Sequence, residues 1–135
     1  MKVFIDTSTF VALLVENEND HEKVAKKYSE YRQGRATLFT SDYILDELFT
    51  RLLYYKVNIK KHIQTLRKAI AEGEITVLKV DETLFEKSID LLIKFSDQKI
   101  SFTDATSFYL YKDLSLDEIF TLDNDFKKMR VNTSF

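Results

Sequence analysis

Residues 3–14 of the chain read VFIDTSTFVALL. Val3, Phe4 and Ile5 are apolar on both faces of an extended backbone, the pattern of a strand buried in a parallel sheet. The run stops at Asp6. Residues 8–16 then read as a helix, with Ser8 or Thr9 as the expected N-cap. A carboxylate between a buried strand and a helix has two uses. It can end the strand and cap the helix, or it can hold a cation for chemistry.

The same grammar recurs along the chain. Residues 36–40 (ATLFT), 74–80 (EITVLKV) and 118–122 (EIFTL) read as strands. Helices are expected over 20–34, 41–56, 59–72, 81–96 and 103–114. Gly34 and Gly73 are expected to stop the second and fourth of the helices. Residues 123–129 read as a short turn or helix, and 130–135 (RVNTSF) as a closing edge strand. Strands alternating with helices define an α/β domain with a mainly parallel sheet. At 135 residues the chain is one domain, residues 1–135.

Composition excludes several chemistries. There is no Cys, hence no disulfide framework and no thiolate zinc site. Two glycines, far apart, cannot build a phosphate-binding loop or a dinucleotide fingerprint. The nucleophile elbow is absent. His21 and His62 are isolated and read as exposed surface, not as ligands. The net charge of −2 argues against coating nucleic acid by bulk charge but leaves room for a local groove. No apolar run is long enough to span a membrane, and the N-terminus lacks a signal-peptide layout. The chain is therefore expected to be soluble and cytoplasmic.

Carboxylates, hydroxyls, lysines and arginines remain. In an open parallel sheet, ligands sit beyond the carboxyl ends of the strands. Asp6 and Asp123 close the first and fourth strands. Glu47 lies early in the helix leaving the second strand, and Asp104 opens the helix leading back toward the fourth. Each also has a structural reading. Asp6 can cap, Glu47 can pair with Arg51 at i,i+4, Ser101 and Asp104 form a capping-box pattern, and Asp123 and Asp125 can cap the short helix. The helical wheel does not choose between Asp46 and Glu47. What favours chemistry is the common placement of four acids from distant segments. Clustered carboxylates repel unless a cation joins them, and an all-oxygen set suits Mg²⁺ or Mn²⁺.

The segments VFIDTSTFVALL (3–14), TSDYILDEL (40–48) and SFTDATSFYLYKDLSLDEIFTLDNDF (101–126) together resemble the successive acidic motifs of PIN-domain ribonucleases, especially VapC-like toxins of toxin–antitoxin pairs. The resemblance implies a PIN-like three-layer α/β/α domain with a central sheet of four to five strands. It implies that Asp6, Glu47, Asp104 and Asp123 bind the metal, that Thr7 and Thr121 orient ligands or water, and that Asp125 is an auxiliary acid. It further implies an RNA substrate cut to leave a 5′-phosphate, a homodimer, and an antitoxin protein as partner. Lys127, Lys128 and Arg130, just after Asp123, are candidate RNA-binding residues. Lys56, Lys60, Lys61, Arg67 and Lys68 read as a solvated helix face. Tyr54 and Tyr55 read as packing or dimer contact, and Phe10, Leu13 and Leu14 as core or as a partner-binding stripe.

The expected activity is Mg²⁺- or Mn²⁺-dependent hydrolysis of RNA phosphodiesters. A catalytically silent PIN-like module that binds RNA or protein is the alternative, and the presence of all four acids counts against it. A phosphohydrolase or receiver-type phosphoacceptor ranks lower, because Asp6-Thr7-Ser8 lacks a second Asp and no suitable Lys stands near the last strand.

Overall fold

The computed structural model describes residues 1–135. Four strands form the sheet: β1 (Lys2–Ile5), β2 (Thr37–Ser41), β3 (Ile75–Leu78) and β4 (Glu118–Phe120). Seven helices accompany them: α1 (Thr7–Leu14), α2 (His21–Gln33), α3 (Asp42–Leu52), α4 (Ile59–Ala71), α5 (Glu82–Lys94), α6 (Phe102–Asp113) and α7 (Asp125–Lys128). The strand order is β3-β2-β1-β4. Every pairing is parallel, with Val3 opposite Leu38 on one side and Glu118 on the other.

Burial explains that order. Val3, Phe4 and Ile5 are sealed from solvent, which requires a neighbour strand on both edges and helices on both faces. The chain leaves β1 through α1 and α2 to β2, continues through α3 and α4 to β3, then returns through α5 and α6 to β4 on the far side of β1. Parallel crossovers are right-handed, so reversing direction sends the returning helices to the opposite face of the sheet. The reversal leaves a crevice between the carboxyl ends of β1 and β4, where an open α/β sheet accepts ligands. Phe4, Phe10, Phe120 and Phe126 are the largest fully buried side chains, and all lie on the elements that border this crevice.

Residues 130–135 do not form the expected edge strand. They run beside β4 with a single parallel bridge, Ile119 to Thr133. Two backbone hydrogen bonds hold them there, the Ile119 amide to the Asn132 carbonyl at 2.8 Å and the Ser134 amide to the Ile119 carbonyl at 3.1 Å, and side chains add to these: Tyr31 bonds Glu118 and Ser134, and the Phe135 ring packs 5.9 Å from that of Phe120. Gly34 is also not the left-handed stop of α2. It keeps a right-handed φ of −76°, and the left-handed seat falls to Arg35 at φ 56°. The same seat after α6 and α7 is taken by Ser115 and Arg130, and only after α4 by glycine, Gly73. With so few glycines, three of the seven helices end on non-glycine residues strained by the turn.

His21 and His62 are half-buried, not exposed. His21 Nδ1 lies 2.7 Å from the Ala12 carbonyl oxygen, tying the start of α2 to α1.

Candidate metal centre

Asp6 occupies the N-cap position of α1, yet its side chain makes no capping hydrogen bond. Its backbone does the structural work. The Asp6 amide donates to the Phe120 carbonyl at 3.0 Å, and the Phe10 amide donates to the Asp6 carbonyl at 3.2 Å. The carboxylate is left free to face the crevice. There Thr121 Oγ1 donates to Oδ2 at 2.7 Å and Ser8 Oγ donates to the same oxygen at 3.0 Å. Ser8 Oγ also accepts the Leu122 amide at 3.0 Å, and Thr121 Oγ1 accepts the Asp123 amide at 2.9 Å. Two hydroxyls thus lock the ends of β1 and β4 together around one buried acid.

A pocket of about 200 Å³ opens above Asp6, lined by no apolar residue. Asp6, Glu47, Asp104, Asp123 and Asp125 all face it, with Arg51 and Lys99 beside them. Four elements supply the acids: the β1–α1 junction, α3, the first turn of α6, and the segment from β4 into α7. Glu47, and not the exposed Asp46, reaches the pocket. The capping box at α6 is real, since the Asp104 amide donates to Ser101 Oγ at 3.0 Å. It aims the carboxylate of Asp104 and does not compete with the site.

Asp104, Asp123 and Asp125 form the tightest group, each offering a carboxylate oxygen within 4.8 Å of the others. The sequence motifs assign Asp125 only an auxiliary part. The Asp125 amide donates to Asp123 Oδ1 at 2.8 Å, which curls the segment and brings the second acid round to the first. Asp6 and Glu47 share the pocket without belonging to that group.

Burial pushes Asp104 up to about 7, helped by the negative charges of Asp6 and Asp123. Burial also raises Asp6, against the pull of hydrogen bonds from Thr121, the Thr7 amide and Ser8. The rim acids are compensated differently. Arg51 stands 3.6 Å from Glu47, and Lys128 Nζ 2.6 Å from Asp125. No Lys, Arg or His nitrogen lies within 4.0 Å of Asp6, Asp104 or Asp123. Three carboxylates without a protein counter-charge, with hard oxygen donors only, are a donor set suited to Mg²⁺ or Mn²⁺.

Other expected site residues are placed differently. The Thr7 hydroxyl is buried with no hydrogen-bond partner, so the orienting part expected of it is played by Ser8, which reads in the sequence only as a cap. Lys127 borders a second hollow beside Asp123. Lys128 touches the pocket through Asp125, and Arg130 faces a separate groove.

The family model of the PIN domain matches residues 3–132. The chain belongs to the PIN-domain family. Its fold is shared with solved structures over nearly their full length. VapC20 of Mycobacterium tuberculosis, a sarcin-ricin loop cleaving toxin, superimposes with a TM-score of 0.81 at 21% identity, covering 96% of this chain and 95% of that one. VapBC2 of Rickettsia felis, bound to a DNA fragment from its promoter, gives a TM-score of 0.74 at 12% identity, covering 99% and 98%. FitAcB of Neisseria gonorrhoeae gives 0.65 at 17% identity, covering 97% and 95%. A comparison with curated proteins gave no match. At these identities the likeness establishes the PIN fold of the domain. No helix of this PIN domain is long and apolar enough to cross a membrane.

Proposed function

We propose that this PIN domain is a Mg²⁺- or Mn²⁺-dependent endoribonuclease and the toxin of a toxin–antitoxin pair. The observation that carries the reading is the set of uncompensated carboxylates, Asp6, Asp104 and Asp123, gathered at the switch point of the sheet in a PIN domain. Asp6, Asp104 and Asp123 would hold the cation, with Glu47 and Asp125 at the rim of the pocket. When bound, the cation supplies an activated water and neutralises the charge that builds on a phosphate. The chain itself supplies position. Ser8 and Thr121 fix Asp6, Ser101 fixes Asp104, and Arg51 and Lys99 stand where a substrate phosphate entering the pocket meets positive charge.

A sarcin-ricin loop cleaving toxin, VapC20, shares this fold, which supports RNA as substrate and the toxin reading, with an antitoxin as partner. An open groove of about 460 Å³ lined by Phe10, Leu13, Leu14, Leu66 and Ala69 is the surface an apolar segment of such a partner would cover. Leu53 and Tyr54, 70% and 85% exposed at the end of α3, suit the contact of a homodimer. The reading places the protein in the cytoplasm with its RNA.

The test is cleavage of labelled single-stranded RNA in Mg²⁺, in Mn²⁺ and in chelator, beside Asp6→Asn. Metal-dependent cleavage with 5′-phosphate ends, lost in the variant, is expected. Binding without cleavage in either metal would instead establish a silent RNA-binding module, and cleavage that survives both chelator and Asp6→Asn would refute the metal site.

A further inference from the structure

Beyond the acidic pocket, the largest hollow of the molecule, about 650 Å³, lies between the C-terminal halves of α5 and α6 and the turn after α7. Four cations line it, Lys94, Lys112, Lys128 and Arg130, against one acid, Asp90. In a chain of net charge −2 this is a local reversal of sign. Lys94, Lys112 and Arg130 have no carboxylate within 4.0 Å, so no acid of the protein neutralises them directly. Lys94 and Lys112 stand instead near aromatic rings, 5.7 Å from the centroid of Phe95 and 5.8 Å from that of Phe108. Tyr109 adds a third half-buried ring to the wall.

Lys128 stands between this groove and the candidate metal centre. It lines the groove while its Nζ donates to Asp125 Oδ1 at 2.6 Å and to the Gln98 carbonyl at 3.1 Å. Arg130 occupies a left-handed backbone seat, φ 57°, directly after α7. Glycine is the residue that fits such a seat without strain. Here an arginine is held there, with its side chain on the groove.

Unpaired cations interleaved with aromatic faces, in a groove set apart from the acidic pocket only by the Lys128–Asp125 pair, match a single-stranded polynucleotide. Phosphates meet the cations and bases stack on the rings. We infer that this groove is a second RNA-binding subsite, which grips the strand on one side of the scissile phosphate through Lys94, Lys112 and Arg130 with Phe95 or Tyr109 against a base. The inference rests on the ribonuclease reading for its ligand but names a surface separate from the acidic pocket.

The test reads binding, not cleavage. In chelator, a fluorescent single-stranded RNA is titrated with the full chain, with Lys94→Glu/Lys112→Glu and with Arg130→Gly. The double variant is expected to weaken binding at least tenfold. It should also flatten the plot of log affinity against log salt by about 1.4, at about 0.7 for each phosphate that is no longer neutralised. Arg130→Gly is expected to weaken binding about threefold or more while keeping or raising the melting temperature, which separates a weakened grip on RNA from misfolding. Ultraviolet crosslinking should join the RNA to a peptide containing Phe95 or Tyr109. Unchanged affinity in both variants, or no RNA binding by the unaltered chain, would overturn the subsite. So would charge-dependent binding of an acidic polyglutamate peptide in place of RNA, which would assign the groove to a protein partner. Failure of the ribonuclease reading looks different: groove-dependent RNA binding with no cleavage in any metal.

Discussion

Asp104→Asn should make the metal-free protein more stable at neutral pH and remove much of its pH dependence. Burial and the charges of Asp6 and Asp123 lift the Asp104 carboxyl from 3.8 to about 7. In the unfolded chain it ionises near its ordinary value. Between pH 4 and 7 the folded state therefore holds a proton that the unfolded state has lost, and unfolding free energy falls as pH rises through this window. Each tenfold change in proton affinity corresponds to ~1.36 kcal/mol, so the full penalty above pH 7 approaches ~4 kcal/mol, and ~2–4 kcal/mol after the pocket relaxes. That is a large share of the ~5–15 kcal/mol that holds a domain together. Asparagine keeps an oxygen that can accept the Ser101 amide in the capping box, so the comparison isolates the charge. Urea unfolding in chelator from pH 5 to 8 is the assay. The unaltered chain should lose stability up to about pH 7 and then level off, while the variant should be flatter and the more stable of the two at pH 7.5. Added Mg²⁺ should stabilise the unaltered chain at pH 7.5 and help the variant less. A profile that is flat from pH 5 to 7 in the unaltered chain, or a variant that is less stable at pH 7.5, would refute the claim that burial and neighbouring negative charge raise this carboxyl.

The neighbouring hydroxyls should behave in opposite ways. Ser8→Ala removes a donor to Asp6 and an acceptor for the Leu122 amide, so cleavage should fall about ten- to a hundredfold, as for a hydrogen bond to a charge worth ~1.5–3 kcal/mol. Thr7→Val removes a buried hydroxyl with no partner and should raise the unfolding free energy in urea by ~1 kcal/mol. Gly73→Ala should cost ~1 kcal/mol through backbone strain alone, because nothing lies within 4 Å of the added Cβ while φ is +75°. Arg35→Gly, relieving the same strain after α2, should be neutral or stabilising in the same unfolding assay.

The alternation of apolar runs with helical stretches is enough to read a parallel α/β sheet, because a strand sealed on both faces admits few other partners. The acids at strand ends are legible for the same reason: in a parallel sheet every strand ends at the same edge. Finer choices depend on angles that a sequence does not carry. Thr7 and Ser8 are adjacent hydroxyls, and only the pitch of the first helical turn turns Ser8 toward Asp6 and Thr7 into the core. Asp46 and Glu47 both flank the apolar face of α3, and their difference in exposure follows from where α6 packs against it. Asp125 gains importance because a local backbone curl, the Asp125 amide on Asp123, brings it inward. The expected closing strand shrinks to one bridge around Ile119, whose two backbone hydrogen bonds are joined by side-chain bonds between Ser134 and both Tyr31 and Glu118.

A capping aspartate is satisfied by the helix it begins, through bonds to amides two or three residues on. Asp6 stands at that position, near the positive end of α1, and takes its bonds from Ser8 and Thr121 side chains instead. The helix end and two hydroxyl dipoles temper the charge of a residue only 3% exposed but do not cancel it, and burial still raises its pKa. Glu47 and Asp125 at the rim have Arg51 and Lys128 to neutralise them. The acids deepest in the pocket are the ones left without a cation. A fold selected for stability alone would have the opposite arrangement, with its buried carboxylates paired and its surface ones free. The inversion makes sense if a cation from solution is the missing partner, and it ties the instability expected of the empty pocket to the chemistry expected of the filled one.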